Sequence, residues 1–390
     1  MSSKFDCTII GAGMVGGATA IALADLGLKV VLIDKFAPEP FVAEQAFDIR
    51  VSAISLASQH LLEQLGAWST IASWRVVPYR RLAVWENEAS YTEFNAESIG
   101  QQHLGHIIEN RLIQLALWQV AQQHPNITLL CPEQLKGIEQ LDDEVLVALS
   151  ERSFSTKLLC ACDGANSQVR QLVNIGLTGW DYQQSAMLVN VKTEHEQQDI
   201  TWQQYLPTGP VAMLPMPGQY ASLVWYHQRE EIKRLQALPN KQLAEQMMAV
   251  FPKRLGSIEV IDKGGFPLTR RHANYYFKGN VVLLGDSAHT INPMAGQGVN
   301  LGFKDVKALQ SVIAEAIADG KSWHSENVLQ RYEKKRRADN LLMMSGMDAL
   351  YKGFSQPSPI IKGLRNIALA GINKVPLVKN KVLAYACGVE

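Results

Sequence analysis

The chain has 390 residues, 47% of them apolar, with 37 basic and 37 acidic side chains. That length suits two or three domains around a sizeable core, and the balanced charge excludes a global pull toward nucleic acid or acidic substrates. Five scattered cysteines (Cys7, Cys131, Cys160, Cys162, Cys387) fit neither a zinc site nor a Cys-x-x-Cys pair, so no metal is expected and the thiols read as reduced and buried.

The first strand comes within a few residues of Met1, which predicts no signal peptide. No run of about 18 uncharged apolar residues occurs, so no transmembrane helix is expected, and a cytoplasmic, at most membrane-peripheral, protein is anticipated. Asp6 to Ile10 reads as a buried strand, Met14 to Leu26 as a helix, and Lys29 to Asp34 as a second strand ending in an acid. Together they form a βαβ unit. Gly11-Ala12-Gly13-Met14-Val15-Gly16 sits at its first turn. Gly11 permits the tight turn, Gly13 lets backbone amides approach a pyrophosphate, and Gly16 lets helix and strand pack closely. Asp34, about twenty residues on, is placed to accept from ribose hydroxyls, and Lys35 beside it joins the candidate cofactor set. This turn does not separate NAD from FAD.

Arg75 to Phe94 alternates like a sheet strand, and Asn110 to Gln122 has helical periodicity. Ile127 to Cys131, Glu144 to Leu149 and Lys157 to Cys162 read as strands, the last ending at Asp163-Gly164. From about Trp180 the texture changes. Strand-like segments 186–191, 201–205, 211–214 and 222–226 are separated by Pro-Gly turns, which predicts a mostly antiparallel sheet inserted before the chain returns to its first domain near Asn280.

Val281 to Asp286 is another apolar strand ending in an acid, and Gly296-Gln297-Gly298 then opens a helix. A nicotinamide dehydrogenase needs only the first glycine turn. A flavin held along its whole length also needs a carboxylate at Gly285-Asp286 to hydrogen-bond its polyol or to order water at its diphosphate. The positive end of the following helix suits the N1–C2=O edge, where charge accumulates on reduction. The expected fold is α/β: a Rossmann-like FAD-binding domain (1–74, 103–178, 276–345), an interleaved, mostly antiparallel β-sheet substrate domain (75–102, 179–275), and a C-terminal helical segment (346–390). That segment carries Lys352, Lys362, Arg365, Lys374, Lys379 and Lys381, with apolar residues between them and no acid from Tyr351 to Val389. It reads either as a basic amphipathic surface for anionic lipid or a partner, or as a helix packed on the FAD domain.

The runs Gly11 to Gly16, Asp163-Gly164-Ala165-Asn166-Ser167-x-x-Arg170, and Gly285-Asp286-Ser287-Ala288-His289 resemble the FAD-dependent aromatic hydroxylases of the para-hydroxybenzoate hydroxylase type. Within them, Pro293 to Asp305 is similar to the ubiquinone-biosynthesis monooxygenase signature. The likeness runs nearly end to end, through Pro78 to Leu82, Ser222 to Tyr226, Phe266 to Ala273 and Ser345 to Asp348. It implies bound FAD, NAD(P)H as transient reductant, O₂ activated at the flavin C4a, and hydroxylation of a prenylated benzoquinol ring. It also implies that Asp163 and Gly164 lie near the cofactor diphosphate and the nicotinamide path, and that Arg50, Asn110 and Arg111 lie near the FAD. Pro293, Gly296, Gln297, Gly298 and Asn300 would border the flavin ring. Many relatives carry His-Pro where this chain has Asn292-Pro293, so no histidine role transfers there.

Such chemistry needs a dry cavity against the second-domain sheet, for which Met213, Leu214, Pro215 and Trp225 are candidates. No side chain stands out as catalytic acid or base; His289 equally suits a structural hydrogen bond. No second βαβ unit for NAD(P)H is found, so the reductant would bind transiently in a groove of the same fold. A related hydroxylase acting at another ring position or on a soluble aromatic substrate is one alternative. A non-catalytic FAD-fold scaffold is another.

Overall fold

The computed structural model describes residues 5–291, 298–355 and 376–388. A sheet with a parallel centre runs in the order Val281–Leu283, Ser153–Ala161, Phe5–Ile10, Val30–Ile33, Ile127–Leu130. Its inner strands are buried on both faces, as in Val-Val-Leu-Ile at 30–33, so they read as unbroken apolar runs rather than alternating ones. Helix Met14–Ala24 is buried from Gly16 to Ala24. Its Gly and Ala residues let helices Asn110–Gln123 and Gly298–Ala318 pack closely against it.

A second sheet runs His289–Thr290, Ile258–Ala273, Leu177–Thr193, Tyr220–Gln228, Gly209–Pro215, Ile200–Leu206, Arg81–Trp85, Thr92–Asn95. All its pairs are antiparallel except Ile200–Leu206 with Arg81–Trp85. Helices Arg229–Ala237 and Asn240–Val250 cover one face, over a core that includes Val189, Trp202, Met213, Leu223 and Trp225. The opposite face carries Ala186, Tyr205, Ala212, Val224, Tyr226 and Leu268. A period of two sends neighbouring residues to opposite faces.

The segment after Gly285 joins the two sheets. Val281–Leu283 belongs to the first, and six residues later His289 pairs with His272 in the second. Three expectations change in detail. Val76–Tyr79 pairs with Gly105–Glu109 in a separate three-stranded sheet with Val51–Ser55, so the large sheet begins at Arg81. The helices at 229–250 stand where only sheet was anticipated. Helix Glu326–Ser355 runs unbroken through 345/346, so a boundary there would cut a helix.

The terminal helix Pro376–Cys387 lies against the body of the protein, where Leu383 and Cys387 are buried beside Leu56, Phe94 and Ile107. Among the described residues no helix is long and apolar enough to cross a membrane.

Candidate functional site

The opening turn is shaped by sterics. Gly11 has φ +96°, and a Cβ there would lie 2.5 Å from the Cys162 carbonyl oxygen. A Cβ on Gly16 would lie 1.7 Å from the Gly11 carbonyl oxygen, so neither position accepts a side chain. Gly13 is different: nothing stands within 4 Å of its missing Cβ, and the turn faces open space there. Asp34 closes the turn from the next strand. Its Oδ2 accepts from the Ala12 amide at 2.6 Å and its Oδ1 from the Phe36 amide at 3.1 Å. An ionised carboxylate accepts about four hydrogen bonds, so capacity remains for sugar hydroxyls. Lys35 is exposed in a shallow groove with Pro132, Lys136 and Arg152.

The late glycine motif meets this turn across a single side chain, Val15. A Cβ on Gly285 would stand 3.1 Å from Val15 Cγ2, and one on Gly302 only 2.5 Å from the same atom. The opening helix and helix Gly298–Ala318 therefore approach as closely as glycine allows. Gly298, at the start of that helix, has open space where its Cβ would be. Asp286 is reachable by solvent yet enclosed by protein on most sides. That enclosure raises its pKa, while His289 and Arg50 pull it back down. Arg50, exposed and anchored through its carbonyl to the Asn110 amide at 3.0 Å, thus acts on the late carboxylate.

Beneath Asp286 lies a buried network that the residue pattern did not reveal. Asp305, 0% exposed, accepts from the Gly285 amide at 3.0 Å and from Arg336 Nε at 2.7 Å, and its Oδ2 lies 2.6 Å from His289 Nε2. Burial pushes this carboxyl up, but His289 and Arg336 outweigh burial and leave it at about 2. An ionised Asp305 makes His289 Nε2 a donor. His289 therefore partners Asp305, sixteen residues on, and the signal was the Gly-Asp-x-x-His run followed by Asp305 on the next helix.

Asp163 joins from the neighbouring strand end. Its Oδ2 accepts from the Val169 amide at 3.1 Å, whereas Oδ1 is buried without a partner. Gly164 has φ +79°. Arg170 crosses to the late motif, donating from Nη1 to the Ser287 carbonyl at 2.8 Å and from Nη2 to the Ala165 carbonyl at 2.9 Å. Arg170, Asn166, Gln171, Thr269 and Arg271 line a groove of about 340 Å³.

Other candidates are engaged within the protein. Asn110 Oδ1 accepts from Ser52 Oγ at 2.6 Å. Arg111 pairs with Asp48 at 3.1 Å and donates to the Glu39 carbonyl at 2.8 Å. Asn300 is buried, and its side chain accepts from Ser58 Oγ at 2.7 Å and donates to the Ala53 carbonyl at 2.9 Å. Those bonds pin the late helix to strand Val51–Ser55, leaving its backbone rather than that side chain as the cradle element. Pro293, Gly296 and Gln297, with Asn292, lie outside the described residues.

The cavity wall requires a correction. Met213 and Trp225, 1% and 3% exposed, point into the core beneath the two covering helices. Trp225 packs edge-on against Phe251 with centroids 5.6 Å apart. Pro215 is buried at the end of the strand, in register with Met213. Leu214 faces the other way, joining the cluster of Ala212, Val224 and Tyr226. Tyr205 and Tyr226 bring buried hydroxyls to this face, and burial pushes Tyr205 up to about 12. Both were missed, although strict alternation about Trp225 predicts that Val224 and Tyr226 oppose it.

These residues fit a bound dinucleotide. Asp163 has an orphaned acceptor oxygen, Gly13 and Gly298 leave open space where their Cβ atoms would be, and Asp34 and Asp286 stand at two strand ends. The family profile described as FAD binding domain matches residues 4–344. The chain is 44% identical over 98% of its length to the 3-demethoxyubiquinol 3-hydroxylase of Escherichia coli (strain K12), covering 98% of that protein. It is 33% identical to the ubiquinone hydroxylase UbiL of Rhodospirillum rubrum, covering 98% of this chain and 89% of that one. The crystal structure of p-nitrophenol 4-monooxygenase PnpA from Pseudomonas putida matches with a TM-score of 0.80 over 100% of both chains at 18% identity, a likeness of fold.

Proposed function

This chain belongs to the FAD binding domain family, and we propose that it hydroxylates the benzoquinol ring of a prenylated ubiquinone precursor, using FAD, O₂ and NAD(P)H. The substrate class follows that of its 44% identical relative, a 3-demethoxyubiquinol 3-hydroxylase. The observation that carries the reading is the meeting of Gly285 and Gly302 over Val15. One molecule can then run from Asp34 past Asp163 to Asp286 and end beside the apolar sheet face.

In this reading the amides of Gly11 to Gly16 bind the diphosphate of FAD, and the partnerless Asp163 oxygen accepts from a hydroxyl or an ordered water beside it. Asp34 with Lys35 takes the adenosine end. Asp286, Arg50, Gly298 and the start of the late helix hold the flavin end. When bound, FAD supplies hydride acceptance and O₂ activation. The protein orients the ring and excludes water, which would otherwise divert the reaction to hydrogen peroxide. Leu214, Ala212, Val224 and Tyr226 supply an apolar surface suited to a prenylated ring. NAD(P)H docks transiently in the groove lined by Asn166, Gln171, Thr269 and Arg271, where Arg271 shares its charge with Asp181.

Peripheral contact with the cytoplasmic membrane face, or with a biosynthetic complex, is assigned to the C-terminal segment. Lys381 is exposed while Leu383 anchors the helix. Removing residues after Ser355 should weaken liposome or complex association; unchanged association refutes this part. The central test is direct. Purified protein should be yellow, its oxygen uptake with NAD(P)H should rise on adding a prenyl quinol, and one ring-hydroxylated product should accumulate from a panel of substituted quinols. Colourless protein, or reductant consumption indifferent to every quinol, refutes the reading.

A further inference from the structure

The site described above leaves one buried polar cluster unused: Tyr182, Arg270 and Asp348, which are 6%, 8% and 9% exposed. Tyr182 donates its hydroxyl to Asp348 Oδ1. Arg270 Nε lies 2.7 Å from Asp348 Oδ2, as an ion pair whose N–H is not aligned for a hydrogen bond. The Arg270 guanidinium also stacks 4.4 Å from the Trp180 ring centroid. Tyr182 and Arg270 belong to the large sheet, whereas Asp348 comes from helix Glu326–Ser355.

That helix has a second polar anchor. Arg336, Asn340, Met344 and Asp348 recur every four residues, so they lie along one face. Arg336 and Asn340 donate to Asp305 at 2.7 and 3.3 Å, and Asp305 in turn holds the Gly285 amide. Met344 packs on Ile291 and Leu301, and Met347 on the sheet cluster of Ala186, Tyr205 and Tyr226. Twelve residues of helix separate the two anchors, about 18 Å at 1.5 Å per residue.

Strand Leu177–Thr193 is irregular where the helix docks. Its pairing with Ile258–Ala273 jumps from Asp181↔Thr269 to Ser185↔Pro267, which leaves Tyr182 in a bulge outside that ladder. A bulged residue lacks the ladder bonds that fix its neighbours, and Asp348 holds Tyr182 there by its hydroxyl.

We propose that Asp348 is a positioning residue. Through the rigid helix it sets the spacing between the flavin cradle at Gly285-Asp286 and the apolar sheet face carrying Ala186, Tyr205 and Tyr226. This rests on the hydroxylase reading above, in which that spacing decides whether reductant ends in product or in peroxide.

The test compares FAD-loaded wild type with Asp348→Asn, which keeps shape but leaves Arg270 without its counter-charge, and with Tyr182→Phe, which removes only the hydroxyl. FAD per chain and NAD(P)H oxidation without quinol should match wild type in both variants. With a prenyl quinol, the fraction of NAD(P)H recovered as hydroxylated product should fall about tenfold in Asp348→Asn and less in Tyr182→Phe, the sort of loss that a displacement far from the chemistry causes. Hydrogen peroxide should rise to match. The visible circular dichroism of the bound flavin should also change in Asp348→Asn.

If coupling and dichroism both stay at wild-type values while only thermal stability drops, the cluster is structural and the proposal fails. If wild type hydroxylates no quinol, the functional reading fails, and dichroism alone decides the positioning role: an unchanged spectrum overturns it. Should Asp348→Asn not fold, Tyr182→Phe carries the same criteria.

Discussion

Gly302→Ala tests whether the two glycine motifs form one cradle, because it loads their shared contact. The new Cβ would stand 2.5 Å from Val15 Cγ2 and 3.5 Å from Gly285 Cα. Alanine gains about 1 kcal/mol of helix propensity, while overpacking of this kind costs about 1–3 kcal/mol. The late helix should be pushed away from the opening one, shifting its first turn relative to Gly13. FAD affinity should fall about tenfold, equivalent to about 1.4 kcal/mol. Val15→Ala removes the obstructing methyl and by itself should change affinity by about threefold or less. The double variant Val15→Ala/Gly302→Ala should bind FAD within about threefold of wild type, a coupling well beyond additivity. Fluorescence titration of apoprotein with FAD gives all four dissociation constants. A double variant as weak as Gly302→Ala, or a Gly302→Ala protein of full affinity, would show that the motifs do not share the contact claimed.

The corrected sheet faces separate two alanine substitutions: Met213→Ala should cost about 2–5 kcal/mol of stability with little change in quinol KM, whereas Leu214→Ala should raise KM. Steady-state kinetics and urea melts distinguish them, and reversed roles would restore the opposite orientation. Arg50→Met should weaken FAD binding about tenfold and raise the Asp286 pKa further, since Arg50 now lowers it; FAD titrations across pH check both. Burial holds His106 and His272 neutral, each at about 4. Unfolded histidines take up protons near pH 6.5 that these folded ones refuse, so stability is retained above that pH and lost as pH falls toward 4, by about 3 kcal/mol for each residue. Urea unfolding that is flat between pH 7.5 and 4.5 would contradict this, and His272→Gln should roughly halve the slope.

What was legible in the chain was whatever depends on local backbone geometry. Gly11 and Gly16 declare a turn because only glycine fits there, and the acids Asp34 and Asp286 sit where strands run out. The faces of the large sheet were not legible. Met213 and Leu214 are both apolar because both faces of the sheet are buried, one beneath the helices at 229–250 and the other in a cluster with Tyr205, Tyr226 and Met347, and a strand apolar throughout conceals its parity. The expectation for Trp225 failed for the same reason. The amphipathic helices at 229–250 belong to the same covered face. Partnerships across long sequence separation were equally hidden: Arg336 reaches Asp305 over 31 residues, and Tyr182 reaches Asp348 over 166.

The Asp305 network explains how Asp286 can be held in place without losing its freedom to bind. A buried carboxylate is costly unless it is paired and hydrogen-bonded, and Asp305 has the Gly285 amide, His289, Arg336 and Asn340 around it. His289 directs Nε2 to Asp305 rather than to the Asp286 carboxylate. The Gly285 amide, at φ +60°, is fixed from below by the same network. Removing the Asp305 charge should therefore loosen the turn without altering Asp286 itself. Asp305→Asn should reduce FAD affinity and stability together, whereas Asp286→Asn should reduce affinity with stability unchanged or slightly raised, since enclosure disfavours the Asp286 charge. If both substitutions moved affinity and stability in parallel, the division between a supporting and a binding carboxylate would be wrong.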